Sequence, residues 1–161
     1  MYFFYFKDSI HYKQGLLIDI HGQSHPEGWI ELGYLLSSNE LNSTSSLTDP
    51  LKVSSINSLA STSDYPFENL IRGRVSLGGI MDSKYNLKVV PSPKYLSPNG
   101  GNYYSGGFIT REYSLSQKKA RINAIQIESP YAYRVDSAID AYADSVANSI
   151  FEFYTLHRLN E

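Results

Sequence analysis

The sequence predicts an α/β fold in which helices pack against a mixed sheet. The first observation behind this prediction is the apolar run Leu16–Ile20, which lies between glycines and is typical of a buried strand. The second is a stripe of apolar residues near the carboxyl terminus at three- and four-residue steps, which is typical of an amphipathic helix. With 161 residues the chain is long enough to bury its own core, so we expect a single domain over residues 1–161.

The strands are predicted from apolar runs and from alternation. Along Gly15–Gly22 successive side chains point to opposite faces, so Asp19 and His21 share one face and the isoleucines share the other. Near the end of the last strand, Gln126 and Glu128 share a face in the same way. The predicted strands are Gly15–Gly22, Trp29–Leu36, Phe108–Tyr113 and Arg121–Glu128.

Helices and one long loop are predicted for the rest of the chain. Asp49-Pro50 is typical of a helix start, and Ser63 or Asp64 is expected to cap a short helix that ends near Ile71. The prolines and glycines within 88–104 predict a long loop, which is typical of an active-site rim. The terminal helix is predicted from the apolar stripe Val135, Ile139, Tyr142, Val146, Ile150 and Phe153.

The composition argues against several classes of function. A net charge of −2 gives no basic field that would attract nucleic acid or an anionic membrane. Because the chain has no cysteine, disulfides and thiolate metal sites are excluded, which leaves His, Asp and Glu as metal ligands. The apolar start Met1–Phe6 is too short for a signal peptide or a membrane span, so we expect a cytoplasmic protein.

Two carboxylates and a histidine are candidates for chemistry. Asp19-x-His21 lies near the carboxyl end of a predicted strand, where α/β sheets present functional groups. His21 is either a metal ligand oriented by a carboxylate or a partly buried histidine that hydrogen-bonds to Asp19. Glu128 ends the last predicted strand and could act as general base and proton donor beside a metal-bound water. The alternative for Glu128 is an ion pair with Arg134 or Arg111.

Two loops carry further candidates. The paired glycines Gly106-Gly107 permit close backbone approach, and Arg111 after them could bind a substrate carboxylate through both of its terminal nitrogens. The alternative is an arginine on the solvated surface. His25 and Glu27 lie in a turn rich in proline and glycine, where they are either ligand contacts or ordinary polar loop residues.

The chain carries five blocks in this order: Asp19-Ile-His-Gly-Gln-Ser-His-Pro-Glu27, Ile30-Glu-Leu-Gly-Tyr34, Val90-Pro-Ser-Pro93, Gly106-Gly-Phe-Ile-Thr-Arg111 and Ile125-Gln-Ile-Glu128. Taken together, they resemble the N-formylglutamate amidohydrolase family and, more narrowly, its eukaryotic branch. The similarity runs from about Gly15 to the terminal helix. The first block, continued to Tyr34, is fairly specific, whereas the later blocks add weight through their order.

This resemblance implies a three-layer α/β sheet like that of the zinc metallocarboxypeptidases, a phosphorylase/hydrolase-like fold. It also implies zinc-dependent hydrolysis of the amide of a small N-acyl amino acid such as N-formylglutamate, with no nucleic-acid or membrane partner. Under the resemblance His21 matches a zinc ligand, and Glu128 matches the carboxylate that activates the zinc-bound water. Arg111 matches a position that binds the substrate carboxylate, and Arg134 and His25 are further candidates for substrate contacts.

The chain departs from the family pattern in its metal ligands. The family draws its first two zinc ligands, a His and a Glu, from a stretch upstream of Asp-x-His, and here only His11 precedes His21. The chain therefore resembles the carboxyl-terminal two-thirds of the domain, and we expect the fold to be incomplete at its amino end. His25, Glu27, Glu31 or a second chain could supply the missing ligands. The alternative function is a catalytically inactive fragment or degenerate homologue that acts as a binding module.

Overall fold

The computed structural model describes residues 3–5, 14–48, 53–116, 121–135 and 137–159, and these residues form a mixed α/β fold. The described strands are β1 (Phe3–Tyr5), β2 (Gly15–Gln23), β3 (Ile30–Gly33), β4 (Val89–Val90) and β5 (Ile122–Pro130). They form one sheet in the order β1-β2-β5-β3-β4. The pairs β2–β5 and β3–β4 are parallel, whereas β1–β2 and β3–β5 are antiparallel. The α/β class and the first and last predicted strands are thereby confirmed.

The described helices are α1 (Ser38–Asn42), α2 (Thr44–Thr48), α3 (Asn57–Ala60), α4 (Phe67–Arg72), α5 (Leu77–Tyr85), α6 (Phe108–Arg111) and α7 (Ala138–Leu156). A π-helical turn, Glu112–Ser116, continues α6, and a short 3₁₀ helix, Tyr131–Tyr133, follows β5. The predicted terminal helix is confirmed as α7, although Ile139 of its stripe is exposed. Among the described helices, none has the length and apolar character that crossing a membrane requires.

The hydrophobic core lies between one face of the sheet and the helices α5 and α7. Side chains alternate along each strand, so only every second residue of a strand points into this core. On β2 and β3 these are the even-numbered residues, and on β5 they are the odd-numbered ones. A Cβ atom at Gly78 of α5 would lie 2.1 Å from the carbonyl oxygen of Pro91, so only glycine permits this close approach. The central members are Leu16, Ile18, Ile30, Leu32, Ile125, Ile127, Ile80, Met81, Ile150 and Phe153.

The predicted strand Phe108–Tyr113 is wrong, because this segment is helical. Gly107 is the N-cap residue of α6, and Gly106 turns the chain with a φ of +116°. Both edges of β5 are already paired, with β2 and β3, so no edge of that strand is open to a further strand. Phe108 is 74% exposed, so its apolar character does not mark a buried face.

Two predicted helix starts also differ from the structure. α4 begins at Phe67 after Pro66 without a side-chain cap, and the hydroxyl of Ser63 instead accepts a hydrogen bond from the backbone of Tyr65. The predicted start at Asp49-Pro50 lies outside the described residues. Residues 53–56 are not helical, and α3 begins only at Asn57. Local capping signals were therefore less reliable than the longer periodic patterns.

Candidate functional site

Three strands bring ionisable side chains together on the sheet face opposite the core. In the sheet register His21 of β2 lies beside Glu128 of β5, and Glu128 lies beside Glu31 of β3. One step along the strands, Asp19 lies beside Gln126. We call these five residues the polar face. Its members share one side of the sheet for two reasons. Side chains two positions apart on one strand point to the same side, and so do side chains that are paired across neighbouring strands.

Asp19 orients the imidazole of His21. Nε2 of His21 lies 2.9 Å from Oδ1 of Asp19, and the carboxylate is only 1% exposed. When this oxygen accepts the proton of Nε2, a neutral His21 has an unprotonated Nδ1, which lies 3.9 Å from Oε1 of Glu128. Two such acceptors repel each other unless one of them takes a proton or a cation lies between them. The arrangement therefore provides a place for a proton or a cation.

Glu128 is a buried carboxyl group whose proton affinity is altered by its surroundings. Burial raises the pKa of Glu128, the nearby His21 opposes that rise, and the charge of Glu31 adds to it. Oε1 of Glu128 accepts a hydrogen bond of 2.8 Å from the side-chain amide of Gln126. Neither Arg134 nor Arg111 forms an ion pair with Glu128 among the described contacts. Burial therefore makes Glu128 a better proton acceptor than an exposed glutamate, which is the property that a general base needs.

A second histidine–carboxylate pair lies on the β3 side of the polar face. Nδ1 of His25 lies 2.7 Å from Oε1 of Glu31, which is fully buried. The backbone N–H of Tyr104 donates to Oε2 of Glu31 over 2.7 Å, and the ring of Tyr104 packs on His25 with 4.8 Å between centroids. Burial raises the pKa of Glu31, and the bond to His25 opposes this rise. The pair leaves Nε2 of His25 available for a ligand.

The buried amide of Gln23 shapes the turn that carries His25. Its Oε1 accepts from the backbone N–H of His25, and its Nε2 donates to the carbonyl of Trp29 over 2.8 Å. Glu27 lies in the same turn, but its carboxylate accepts from the backbone and side chain of Asn102. These bonds lower the pKa of Glu27 and fix the loop. Of the two candidates in this turn, His25 contacts Glu31 of the polar face, whereas Glu27 binds Asn102 and stabilises the loop.

Arg134 lies at the carboxyl ends of β2 and β5, on the side of the sheet opposite the polar face. Its Nε donates to the carbonyl of Ser129 over 3.0 Å, and its Nη2 donates to the carbonyl of Gln23 over 3.1 Å. A Cβ atom at Gly22 would lie 2.5 Å from the guanidinium carbon, so glycine next to His21 makes room for the arginine. Position 22 alternates with His21, so a side chain there would point to the core side of β2, and the guanidinium group of Arg134 therefore lies on that side.

Arg111 differs from Arg134 in its surroundings. It is the last residue of α6, its side chain is exposed, and none of the described contacts involves its guanidinium group. The segment that precedes it does contact the polar face, because the backbone N–H of Gly107 donates to Oε1 of Gln126 over 2.7 Å. The structure therefore places Arg111 on a helix whose preceding segment contacts the polar face, whereas Arg134 is fixed on the opposite side of the sheet.

The donor atoms of the polar face suit zinc in kind but are too few. Zinc bonds to nitrogen and oxygen are about 2.0–2.2 Å long, so the 3.9 Å between Nδ1 of His21 and Oε1 of Glu128 permits one shared ion. Oδ2 of Asp19 is also buried, without a hydrogen-bond partner among the described residues. Over the same part of the chain, no three His, Asp or Glu side chains are grouped as a metal site. The described residues thus offer two of the three protein ligands of a catalytic zinc.

Sequence reasoning missed Gln126 and Tyr104 as members of the site. Gln126 was recognisable, because it is two residues from Glu128 on a predicted strand and must share its face. Tyr104 gives no comparable signal, because it lies in a loop and reaches His25 only through the fold.

Comparison of the chain with protein-family models, with curated proteins and with solved structures finds no match.

Proposed function

We propose that this protein is an amidohydrolase that cleaves the amide of a small N-acyl amino acid such as N-formylglutamate. The observation that carries the proposal is the meeting of Asp19, His21 and Glu128 on adjacent parallel strands, with the pKa of Glu128 raised by burial. The parallel pair at the centre of a mixed sheet also supports the metallocarboxypeptidase-like form of the α/β fold. The cytoplasmic location expected from the sequence stays a prediction.

The residues of the chain divide the work as follows. Arg111, the position that the resemblance implies, binds the carboxylate of the amino acid, since it lies on α6, whose preceding segment contacts Gln126 of the polar face. Glu128 removes a proton from the attacking water, whose oxygen adds to the acyl carbon. As the carbon–nitrogen bond breaks, Glu128 returns that proton to the leaving nitrogen. The products are the free carboxylic acid and the free amino acid. Asp19 holds His21 in one orientation, so that Nδ1 faces Glu128.

Zinc is part of this proposal, with His21 as one ligand. When bound, zinc would polarise the acyl oxygen and lower the pKa of a bound water. Because Glu128 is the base in this proposal, His21 is the one zinc ligand assigned among the described residues, and further ligands have to come from outside them or from a second copy of the chain.

Metal content and amide hydrolysis together test the proposal. We expect about one zinc per chain in the purified protein, and release of glutamate from N-formylglutamate. His21→Ala is expected to lower the zinc content, and Glu128→Gln to lower kcat by about 10²–10⁴-fold, the usual contribution of a general base. Elemental analysis and an assay for free glutamate give the two readouts.

Glu152→Gln is the matched control, because Glu152 forms a surface ion pair with Lys84 and lies on α7, away from the polar face. It should leave turnover unchanged. A protein with neither zinc nor glutamate release would contradict the amidohydrolase proposal. Binding of N-formylglutamate without turnover, measured by calorimetry, would favour the alternative of an inactive binding module.

A further inference from the structure

An exposed asparagine–glycine turn lies in the loop that carries Tyr104. The backbone N–H of Gly101 donates to the carbonyl of Pro98 over 2.9 Å and closes this β-turn. Its two central residues, Asn99 and Gly100, have φ angles of +47° and +90°, and positive values at both positions are typical of a type I′ turn. Both residues are exposed, so water reaches the peptide bond between them.

The atoms that react in the deamidation of asparagine are unprotected in this turn. Among the described residues the side-chain amide of Asn99 has no hydrogen-bond partner, whereas its backbone N–H donates to Oδ1 of Asn42 over 3.2 Å. The N–H of Gly100 likewise has no acceptor over the same part of the chain, and a Cβ atom at this position would meet nothing within 4 Å. Because glycine has no Cβ atom, its nitrogen is open to the side chain of the preceding residue. The nucleophile and the carbon that it attacks are therefore both accessible.

We infer that Asn99 is a site of spontaneous deamidation and that its β-aspartyl product loosens the loop. The backbone nitrogen of Gly100 gives its proton to hydroxide and attacks Cγ of Asn99. The bond from Cγ to the side-chain nitrogen breaks, and that nitrogen takes a proton from water and leaves as ammonia. The cyclic imide then adds one water at either of its carbonyl carbons. One opening gives aspartate, and the other gives a β-aspartyl linkage with an additional methylene group in the main chain.

The longer main chain disturbs the contact between this loop and Trp29, the only tryptophan of the chain. A Cβ atom at Gly101 would lie 2.8 Å from the ring of Trp29, so the main chain has no space to move towards the ring. Nε1 of Trp29 donates to the carbonyl of Asn102 over 3.2 Å, and the residue is only 8% exposed. A methylene group added next to this contact pushes the loop outwards and exposes Trp29 to water.

Peptide mapping by mass spectrometry, after incubation of the purified protein in mildly alkaline buffer, tests the modification. We expect the peptide that contains Asn99 to become heavier by the difference between OH and NH₂. Asn86 is the internal control, because it is also exposed and has a φ of +50°, but the N–H of the following Leu87 donates to the carbonyl of Met81. Its peptide should keep its mass. An unmodified Asn99, or an equally modified Asn86, would overturn the inference.

Tryptophan fluorescence tests the effect on the loop. The emission maximum of the incubated protein should shift to longer wavelength, because Trp29 becomes exposed. Asn99→Asp has the charge of the aspartate product in an unaltered main chain, so its emission should match that of the fresh protein. Unchanged emission of the fully deamidated protein would refute the loosening of the loop, and so would a shift of the same size in fresh Asn99→Asp. Neither readout depends on hydrolytic activity.

Discussion

The two faces of the sheet differ sharply in chemical character. On β2, Leu16 and Ile18 lie on the side of the hydrophobic core, whereas Asp19 and His21 lie on the opposite side of the same strand. β5 repeats this division, with Ile125 on the first side and Glu128 on the second. Burial of apolar side chains stabilises the fold, but burial of carboxylates costs free energy unless they are paired. An apolar second face would hold the sheet together at least as well. The comparison indicates that the apolar face supplies stability, whereas the other face concentrates ionisable side chains at a cost in stability.

The largest expected effect on stability comes from the apolar face. Phe153 on α7 is fully buried, and Phe153→Ala should lower the free energy of unfolding by about 3–5 kcal/mol because it leaves a cavity. Phe151→Ala removes the same side chain two residues earlier, where it is 63% exposed, and should change stability by less than about 0.5 kcal/mol. Denaturant unfolding followed by circular dichroism measures both. Similar losses in the two variants would show that α7 is not packed as described.

A smaller effect is expected where a loop covers the polar face. A Cβ atom at Gly33 would lie 2.6 Å from the backbone nitrogen of Gly106, so Gly33→Ala should push that loop away. We expect a loss of about 1–3 kcal/mol in unfolding free energy, together with reduced hydrolysis. At Gly15 of β2 the nearest atom is at 3.7 Å, in ordinary contact, so Gly15→Ala serves as the control. A tolerated Gly33→Ala would contradict the close contact between β3 and this loop.

The smallest expected effect is a pH dependence of stability that the polar face introduces. Asp19, His21 and Glu31 face Glu128, and burial raises the pKa of Glu128 above its ordinary value of 4.5. Between 4.5 and the raised value the folded protein binds more protons than the unfolded chain. The free energy of unfolding therefore falls as the pH rises through this window, and the contribution is constant above it.

Glu128→Gln removes this contribution. We expect the Tm of the variant, relative to that of the original protein, to rise as the pH is raised from 4 to 7, because only the original protein loses this contribution. Glu152→Gln, which removes a carboxylate from a surface ion pair with Lys84, should show no such gain. A Tm difference for Glu128→Gln that stays flat over this range would show that Glu128 is not destabilised by burial.

Part of the site was predictable from the alternation of side chains along single strands. Alternation alone places Asp19 with His21, and Gln126 with Glu128. The family resemblance predicts that His21 and Glu128 share one site, and the structure places them side by side because β2 and β5 pair in parallel. The resemblance also favours Arg111 over Arg134, on a sequence block whose segment is predicted to be a strand. Its helical form leaves Arg111 without a fixed contact.

By itself the sequence determined the elements with strong periodicity, namely β2, β5 and α7, since their patterns reflect how side chains project from each kind of backbone. Only the tertiary structure decided that β3 runs antiparallel to β5, which brings Glu31 and His25 to Glu128. It also decided that Tyr104 packs on His25, a contact between residues 79 positions apart in the numbering. Such contacts depend on the packing of whole elements, and no local pattern of residues encodes them.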